Sequence, residues 1–142
     1  MIRFAVFEDS PALAILLTQL GYPSSEAFVQ ARLAELSKSG SACVIVAEHD
    51  GAVVGFLAFD SQPLFHQAGR VGNIMAMSVL ENMRGQGVGK ELVQEAEKIA
   101  SEGGCLKMAV ASGLHRTDTH KFYSSLGYAE NTKRFVKQLG HS

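Results

Sequence analysis

The sequence has few of the features that would assign it to a special class of protein. It contains 2 cysteines and no apolar run approaching the ~18 residues of a membrane-spanning helix. It also has no run of Lys or Arg, and its formal net charge is −1, so neither nucleic acid nor an acidic membrane is indicated as a partner. The first residues lack the arrangement of a signal peptide, and we therefore expect a cytoplasmic protein.

No repeat, low-complexity stretch or linker divides the chain, and a hydrophobic content of 46% argues against disorder. A chain of 142 residues is long enough to bury a core of its own. We therefore expect a single domain over residues 1–142. Cys43 and Cys105 each lie in an apolar stretch, and we expect both to be buried, reduced thiols.

Apolar periodicity and turn residues predict the element order βααβββαβαββ, which is a mixed α/β domain with a central sheet flanked by helices. The predicted strands are 2–7, 42–48, 52–59, 71–79, 106–111, 128–130 and 134–139, and the predicted helices are 12–20, one that begins after Ser24 or Ser25, 88–100 and 119–126. The helix at 88–100 joins two strands by a crossover, so we expect strands 71–79 and 106–111 to be parallel.

Three glycines in five residues follow strand 71–79 and open the next helix, at Gly85, Gly87 and Gly89. Glycine lets backbone N–H groups turn toward one point, and the start of a helix adds unpaired N–H groups and the positive end of its dipole. The stretch Arg84–Lys90 therefore predicts an anion-binding loop, most naturally for a phosphate or pyrophosphate.

Two well-known phosphate loops do not fit this spacing. A Walker loop would need glycine at Arg84 and a hydroxyl residue at Glu91. A dinucleotide fingerprint would need glycine at Lys90 or at Leu92. The pattern that does fit is Arg-x-x-Gly-x-Gly.

On that pattern the chain resembles the GNAT superfamily of acetyl-CoA-dependent N-acetyltransferases. Further matches are Leu20-Gly21-Tyr22, the hairpin from Asp50 to Gly55, and His-Arg-x-x-x-His-x-Phe-Tyr-x-x-x-Gly-Tyr from His115 to Tyr128. The resemblance covers nearly the whole chain and agrees with the predicted element order. It implies a GNAT-type fold and transfer of an acetyl group to a primary amine of a small molecule or protein, by direct attack in a ternary complex.

The resemblance also implies where acetyl-CoA, the cosubstrate, would bind, and it implies no metal. The cofactor-binding residues it indicates are Met77, Ser78, Val79, Arg84, Gly85, Gln86, Gly87, Val88, Gly89, Lys90 and Arg116. Arg116 together with His120 resembles a subgroup of small-amine acetyltransferases that includes the aminoethylphosphonate enzyme. The acceptor would lie between the two N-terminal helices and the turn at Asn131–Lys133. The oligomeric state is left open, with a homodimer as one option.

Tyr123 occupies the family's position for the acid that protonates the leaving thiolate. A phenol with an ordinary pKa of about 10 and a thiol with a pKa of about 8.5 are close enough for that transfer. Many relatives carry an acidic residue on the strand before the loop, but residues 72–79 here contain no carboxylate and no histidine. The candidates for the general base are Glu8, Asp60, His66, His115 and His120, besides water or bulk solvent.

Two other functions remain open at this stage. A non-catalytic acyl-CoA-binding or sensing domain would keep the fold and lose turnover, which the missing carboxylate allows and Tyr123 disfavours. A nucleotide-phosphate binder would use the glycine loop alone.

Overall fold

The computed structural model describes residues 1–111, 117–130 and 135–140. The chain divides into two compact units, Met1–Ala111 and Ser112–Ser142. The first unit contains the strands β1 (Ile2–Phe4), β2 (Ala42–His49), β3 (Ala52–Pro63), β4 (Arg70–Val79) and β5 (Cys105–Val110), and the helices α1 (Ser10–Leu20), α2 (Glu26–Ser39) and α3 (Val88–Glu102). The second unit contains α4 (Thr117–Ser125).

The strands of the first unit form one mixed sheet in the order β1-β2-β3-β4-β5. Neighbours from β1 to β4 are antiparallel, whereas β4 and β5 are parallel and are joined through α3. The crossover and the parallel pair were predicted from the sequence, and both are confirmed. The mixed α/β class is confirmed as well.

Helices cover both faces of the sheet. On one face, Leu13 and Leu16 of α1 and Val29 of α2 form a buried cluster with Val46 and Phe56 of the sheet. Side chains alternate along a strand, so Gly55, the neighbour of Phe56, belongs to the other face. There Leu92 of α3 packs 3.3 Å from the position that a Cβ on this glycine would occupy.

Local sequence explains where several elements begin and end. The Ser25 hydroxyl accepts a hydrogen bond from the Phe28 N–H at 3.1 Å and caps α2. Gly21 ends α1 with φ +109°. Asp50 and Gly51, with φ +52° and +80°, turn β2 back into β3.

The first strand is shorter than predicted, because a polar network turns the chain after Phe4. The Asp9 carboxylate accepts hydrogen bonds from the Val6 N–H at 2.7 Å and from the Arg3 guanidinium at 2.8 Å. This arrangement closes a single 3-10 turn at Phe7–Asp9, from which α1 starts. The Arg3 guanidinium holds the pKa of Asp9 below its ordinary value, against the opposing effect of burial.

The two final strands that the sequence predicts are not present in the described residues. Residues 128–130 and 135–139 have no strand assignment, and 131–134 lie outside the described residues. Phe135 and Val136 are 98% and 79% exposed. Aromatic and β-branched residues favour a strand only where a neighbouring strand supplies hydrogen bonds and packing, so propensity alone misled the prediction.

Both cysteines are free thiols, as predicted, but they are half-buried rather than buried. Burial raises the pKa of Cys43 to about 11, so this thiol stays protonated near neutral pH.

Candidate functional site

The loop between β4 and α3 depends on two glycines in the left-handed region of backbone space. Gly85 has φ +78° and Gly87 has φ +85°. A Cβ on either residue would have no neighbour within 4 Å, so the requirement is one of conformation and not of space. Because an L-residue in this region costs roughly 1–2 kcal/mol, glycine is the residue that gives this loop its shape without strain.

Helix α3 begins without a side-chain cap, since its N-cap residue is Gly87. The Glu91 N–H donates to the Gly87 carbonyl at 3.0 Å and closes the first turn. The N–H groups of Val88, Gly89 and Lys90 precede this bond and have no acceptor within the helix. Together with the positive end of the helix dipole, they provide a position that favours an anion.

Two exposed cations belong to the same loop: Arg84 precedes these N–H groups in the sequence, and Lys90 carries one of them. Arg84 Nε donates to the Val79 carbonyl at 3.4 Å and so ties the start of the loop back to the end of β4. The Gln86 side chain donates to the Asn82 carbonyl at 3.4 Å within the same turn. The loop therefore combines free N–H groups, positive charge and a backbone shape that few other residues would allow.

Strand β4 pairs with β5 over only the first part of its length. Their parallel register begins at Arg70 and Cys105 and stops at Ile74 and Val110, where β5 ends. The stretch Met75–Val79 of β4 has no β5 residue in register with it. Within residues 1–111 this edge of β4 has no pairing partner, and we call it the open seam and the pair Ile74–Val110 its apex.

A bulge on β4 marks the apex of the open seam. Ala76 pairs with Ala58 of β3, yet Ile74 pairs with Phe59, so Met75 is an extra residue on β4. A bulge bends the strand that carries it and disrupts the local ladder. The bulge therefore lies directly after the last residue of β4 that pairs with β5.

The backbone N–H and C=O groups along the end of β4 point alternately toward β3 and toward the open seam. The Leu80 N–H donates to the Val54 carbonyl at 2.8 Å, which makes this cross-strand pair a hydrogen-bonded one. Pairs alternate in an antiparallel ladder, so Ser78 bonds to β3 and the backbone groups of Met77 and Val79 point away from it. The side of β4 that faces the open seam therefore presents the N–H and C=O groups of Met77 and the N–H group of Val79, whose C=O accepts from the Arg84 and Gln19 side chains.

Gln19 of α1 fastens the end of β4 and was not singled out in the sequence. Its side-chain amide donates to the Val79 carbonyl at 2.8 Å and to the Ser78 hydroxyl at 3.2 Å, and accepts from the Glu81 N–H at 3.2 Å. The only trace of this role in the sequence is a polar residue beside the leucine stripe of α1. Its partners are about 60 positions away, and no local pattern predicts such contacts.

Tyr123, the predicted acid, belongs to the second unit. It is 6% exposed, and burial raises its pKa to about 12. Its ring makes edge contacts with Phe122 at 5.0 Å and Tyr128 at 5.4 Å between centroids. Its carbonyl accepts from the N–H groups of Leu126 and Tyr128 at 3.0 and 3.1 Å, which closes the end of α4.

The predicted bases differ in their surroundings. Glu8 and His66 are exposed, whereas Asp60 and His120 are partly buried. His115, the proposed cofactor ligand Arg116 and the turn at Asn131–Lys133 lie outside the described residues. The first unit brings together Met77–Val79 and Arg84–Lys90, while the structure leaves the roles of Tyr123 and Arg116 as predictions.

Within residues 1–111, 117–130 and 135–140, no group of three or more His, Cys, Asp or Glu side chains is arranged to hold a metal ion. In the same part of the chain, every helix is too short or too polar to cross a membrane.

The first unit is thus a mixed sheet whose fourth strand leads through a glycine turn into a helix N-terminus. The model of the acetyltransferase (GNAT) family matches residues 11–128, and the chain belongs to this family. The resemblance noted in the sequence is thereby confirmed.

Two curated relatives illustrate the range of the family. The chain is 35% identical over 94 residues to an aminoalkylphosphonate N-acetyltransferase of Salmonella typhimurium, covering 66% of this chain and 61% of the relative. It is 31% identical over 90 residues to a glucosamine 6-phosphate N-acetyltransferase of Trypanosoma brucei brucei, covering 63% and 59%. The match thus spans about three fifths of the length of these relatives.

Among solved structures, an acetyltransferase of Trypanosoma brucei superposes with a TM-score of 0.82 at 26% identity. The superposition covers 98% of this chain and 99% of that one. The fold is therefore shared over essentially the whole chain.

Proposed function

We propose that this protein is an N-acetyltransferase that transfers the acetyl group of acetyl-CoA to a primary amine of a small molecule or protein, in the cytoplasm. The observation that carries the proposal is the open seam of β4, which leads directly into the glycine loop and the uncapped N-terminus of α3. A strand edge followed by an anion position suits a ligand with an amide-bearing arm and a pyrophosphate.

The residues present fit such a ligand at both of its ends. The pyrophosphate would be held in the Arg84–Lys90 loop by the N–H groups of Val88, Gly89 and Lys90, with the side chains of Arg84 and Lys90 supplying positive charge. The arm would lie along the open seam, where Met77 presents a backbone donor and acceptor and Val79 presents a donor. Arg116 is proposed as a further phosphate contact.

Acetyl transfer has three requirements that the chain's own residues would meet. The acceptor amine must lose a proton before or during attack, since an alkylammonium ion with a pKa of about 10 is not a nucleophile. The acetyl carbonyl must be oriented, for which the backbone N–H groups of the open seam are available. The thiolate that leaves must be stabilised, which we assign to the Tyr123 hydroxyl.

The raised pKa of Tyr123 refines its role. The difference between a phenol pKa of about 12 and an ordinary thiol pKa of about 8.5 corresponds to roughly 5 kcal/mol against complete proton transfer. The hydroxyl therefore stabilises the leaving thiolate chiefly by donating a hydrogen bond. The proton that neutralises sulfur then comes from the reaction medium.

The acceptor that we favour is a small amine. By their names, the two relatives act on an aminoalkylphosphonate and on glucosamine 6-phosphate, each an amine with a phosphorus-containing anionic group. We therefore propose amines of this kind as the first acceptors to test, before polyamines, amino acids, aminoglycosides and lysine peptides.

The test is thiol release from acetyl-CoA across that amine panel, with ATP and NAD as negative controls in a thermal-shift assay. We expect release that requires both substrates, and initial-rate lines that intersect, as a ternary complex demands. Parallel lines would indicate an acetyl-enzyme and contradict direct attack. Tight binding of CoA without turnover on any amine would favour the sensing domain instead.

Replacing Gln19 by leucine should raise the KM for acetyl-CoA by about 10-fold with a smaller change in kcat. The variant loses the hydrogen bonds that fix the end of β4, each worth about 1 kcal/mol, and 1.4 kcal/mol corresponds to a factor of ten. Gln94→Leu, the same change at an exposed position of α3, is the matched control. Equal KM values for the two variants would remove Gln19 from the site.

A further inference from the structure

Asp60 lies on β3, in register with Ala42 of β2 and Asn73 of β4. Side chains at i and i+2 of a strand share a face, so Asp60 belongs to the same face as Phe56 and Ala58, the one covered by α1 and α2. Directly opposed residues also share a face, so Asn73 accompanies Asp60 there. A carboxylate and an amide thus stand side by side on two adjacent strands.

One carboxylate oxygen of Asp60 is enclosed and has no hydrogen-bond partner among the described residues. Among the side chains that the structure describes, Asp60 Oδ1 is the one fully enclosed nitrogen or oxygen without a hydrogen-bond partner. Buried carboxylate oxygens are almost always hydrogen-bonded, because an enclosed charge without a donor is costly. The residue as a whole is still partly exposed, although Oδ1 itself is not.

The cations among the described residues do not supply the missing donor. Arg70, at the start of β4, donates from Nε to the Ser61 hydroxyl at 3.1 Å and from a terminal nitrogen to the Ser61 carbonyl at 3.0 Å. Ser61 follows Asp60 in β3, and its side chain therefore points to the opposite face. The ion pairs found in the described residues do not include Asp60.

Asp60 is also close to the place where the reaction would occur. Its partner Asn73 immediately precedes Ile74, at the apex of the open seam, and Met75 forms the bulge there. An arm bound from the loop along Val79 and Met77 would extend toward this apex. β4 itself offers no carboxylate or histidine over residues 72–79.

We propose that Asp60 is the general base, and that its carboxylate receives the acceptor's amino group. No described residue donates a hydrogen bond to this carboxylate, so an amine would supply one, with the adjacent Asn73 amide as a second polar contact. As the neutral amine forms the new N–C bond and the C–S bond breaks with its electron pair going to sulfur, one N–H proton passes to the Asp60 carboxylate. This inference rests on the proposed function and names the residue that binds and deprotonates the acceptor.

The experiment compares Asp60→Asn with Asp50→Asn, which removes a carboxylate from the exposed β2–β3 turn. With an amine that the wild type acetylates, we expect Asp60→Asn to lower kcat at saturating amine by at least 30-fold. The KM for acetyl-CoA should stay within twofold of the wild type. The melting temperature of Asp60→Asn should equal or exceed that of the wild type, because the substitution removes a carboxylate charge that has no partner. Asp50→Asn should match the wild type in all three measurements.

Unchanged kcat in Asp60→Asn would overturn the proposal. A lowered melting temperature with wild-type kcat would do the same, because it would show a purely structural residue. Asp60→Ser, which keeps an oxygen but not the charge, serves as a second variant if the asparagine protein is poorly folded, and wild-type kcat in it would again contradict the base. Failure of the wild type on every amine, with CoA still bound, would instead count against the proposed function.

Discussion

Replacing Tyr123 by phenylalanine should lower kcat by about 100-fold and leave the affinity for acetyl-CoA unchanged. General acid assistance is worth about 10²–10⁴ in rate, and a phenol that mainly donates a hydrogen bond belongs at the lower end of that range. Phenylalanine keeps the ring contacts with Phe122 and Tyr128, so the packing of α4 should survive. The measurements are steady-state kinetics with a working amine and the thermal shift produced by CoA.

The pH dependence gives an independent check on Tyr123. Because burial raises its pKa to about 12, the hydroxyl keeps its proton throughout the accessible range and loses it only above that value. Between about pH 7 and 10, wild-type kcat should not fall as the pH rises. A falling alkaline limb in this interval that disappears in Tyr123→Phe would show that the functional pKa is much lower. An unchanged kcat in the variant would exclude Tyr123 as the group that assists sulfur.

Replacing Gly87 by alanine should raise the KM for acetyl-CoA by about 10-fold or more. At φ +85° an alanine costs roughly 1–2 kcal/mol. The loop must either keep this strain or relax, and relaxation would move the N–H groups of Val88, Gly89 and Lys90 that we assign to the pyrophosphate. Affinity for CoA, measured by titration calorimetry, is the direct readout.

Gly51 offers a matched control for this substitution. It has φ +80° in the β2–β3 turn, and a Cβ there would also have no neighbour within 4 Å. Gly51→Ala therefore introduces the same backbone strain outside the glycine loop. It should lower the free energy of unfolding by about 1 kcal/mol and leave CoA affinity unaltered. If both variants bind CoA as the wild type does, the loop is not the pyrophosphate site.

The sequence predicted best what depends on neighbours along the chain. The N-cap at Ser24 or Ser25, the turn at Asp50–Gly51 and the crossover through α3 follow from local residues, and the structure confirms them, with Ser25 as the cap. The final strands were predicted from β propensity, which depends on a partner strand, and this prediction is not met in the described residues. Local chemistry was thus a sufficient guide to the loop and to most of the sheet.

The parts of the site that the sequence did not predict depend on contacts between distant residues. Gln19 is an unremarkable polar residue on a helix until α1 packs beside the end of β4. Asp60 was one of several candidate bases. The strand register places it opposite Asn73, next to the apex of the open seam. Its oxygen without a donor is visible only in the folded structure. The roles of Arg116, His115 and the turn at Asn131–Lys133 stay predictions.

The open seam also affects how freely the sequence of such a protein can change during evolution. In the proposed complex the arm of acetyl-CoA completes the sheet like a short additional strand, bound by peptide groups and not by side chains. Every residue except proline offers the same N–H and C=O groups, so substitutions at Met77 and Val79 would cost little binding. A site of this kind tolerates drift in sequence while it conserves backbone shape, which agrees with a TM-score of 0.82 at 26% identity. Selection would then act mainly on the residues that read the acceptor, where new substrate preferences arise.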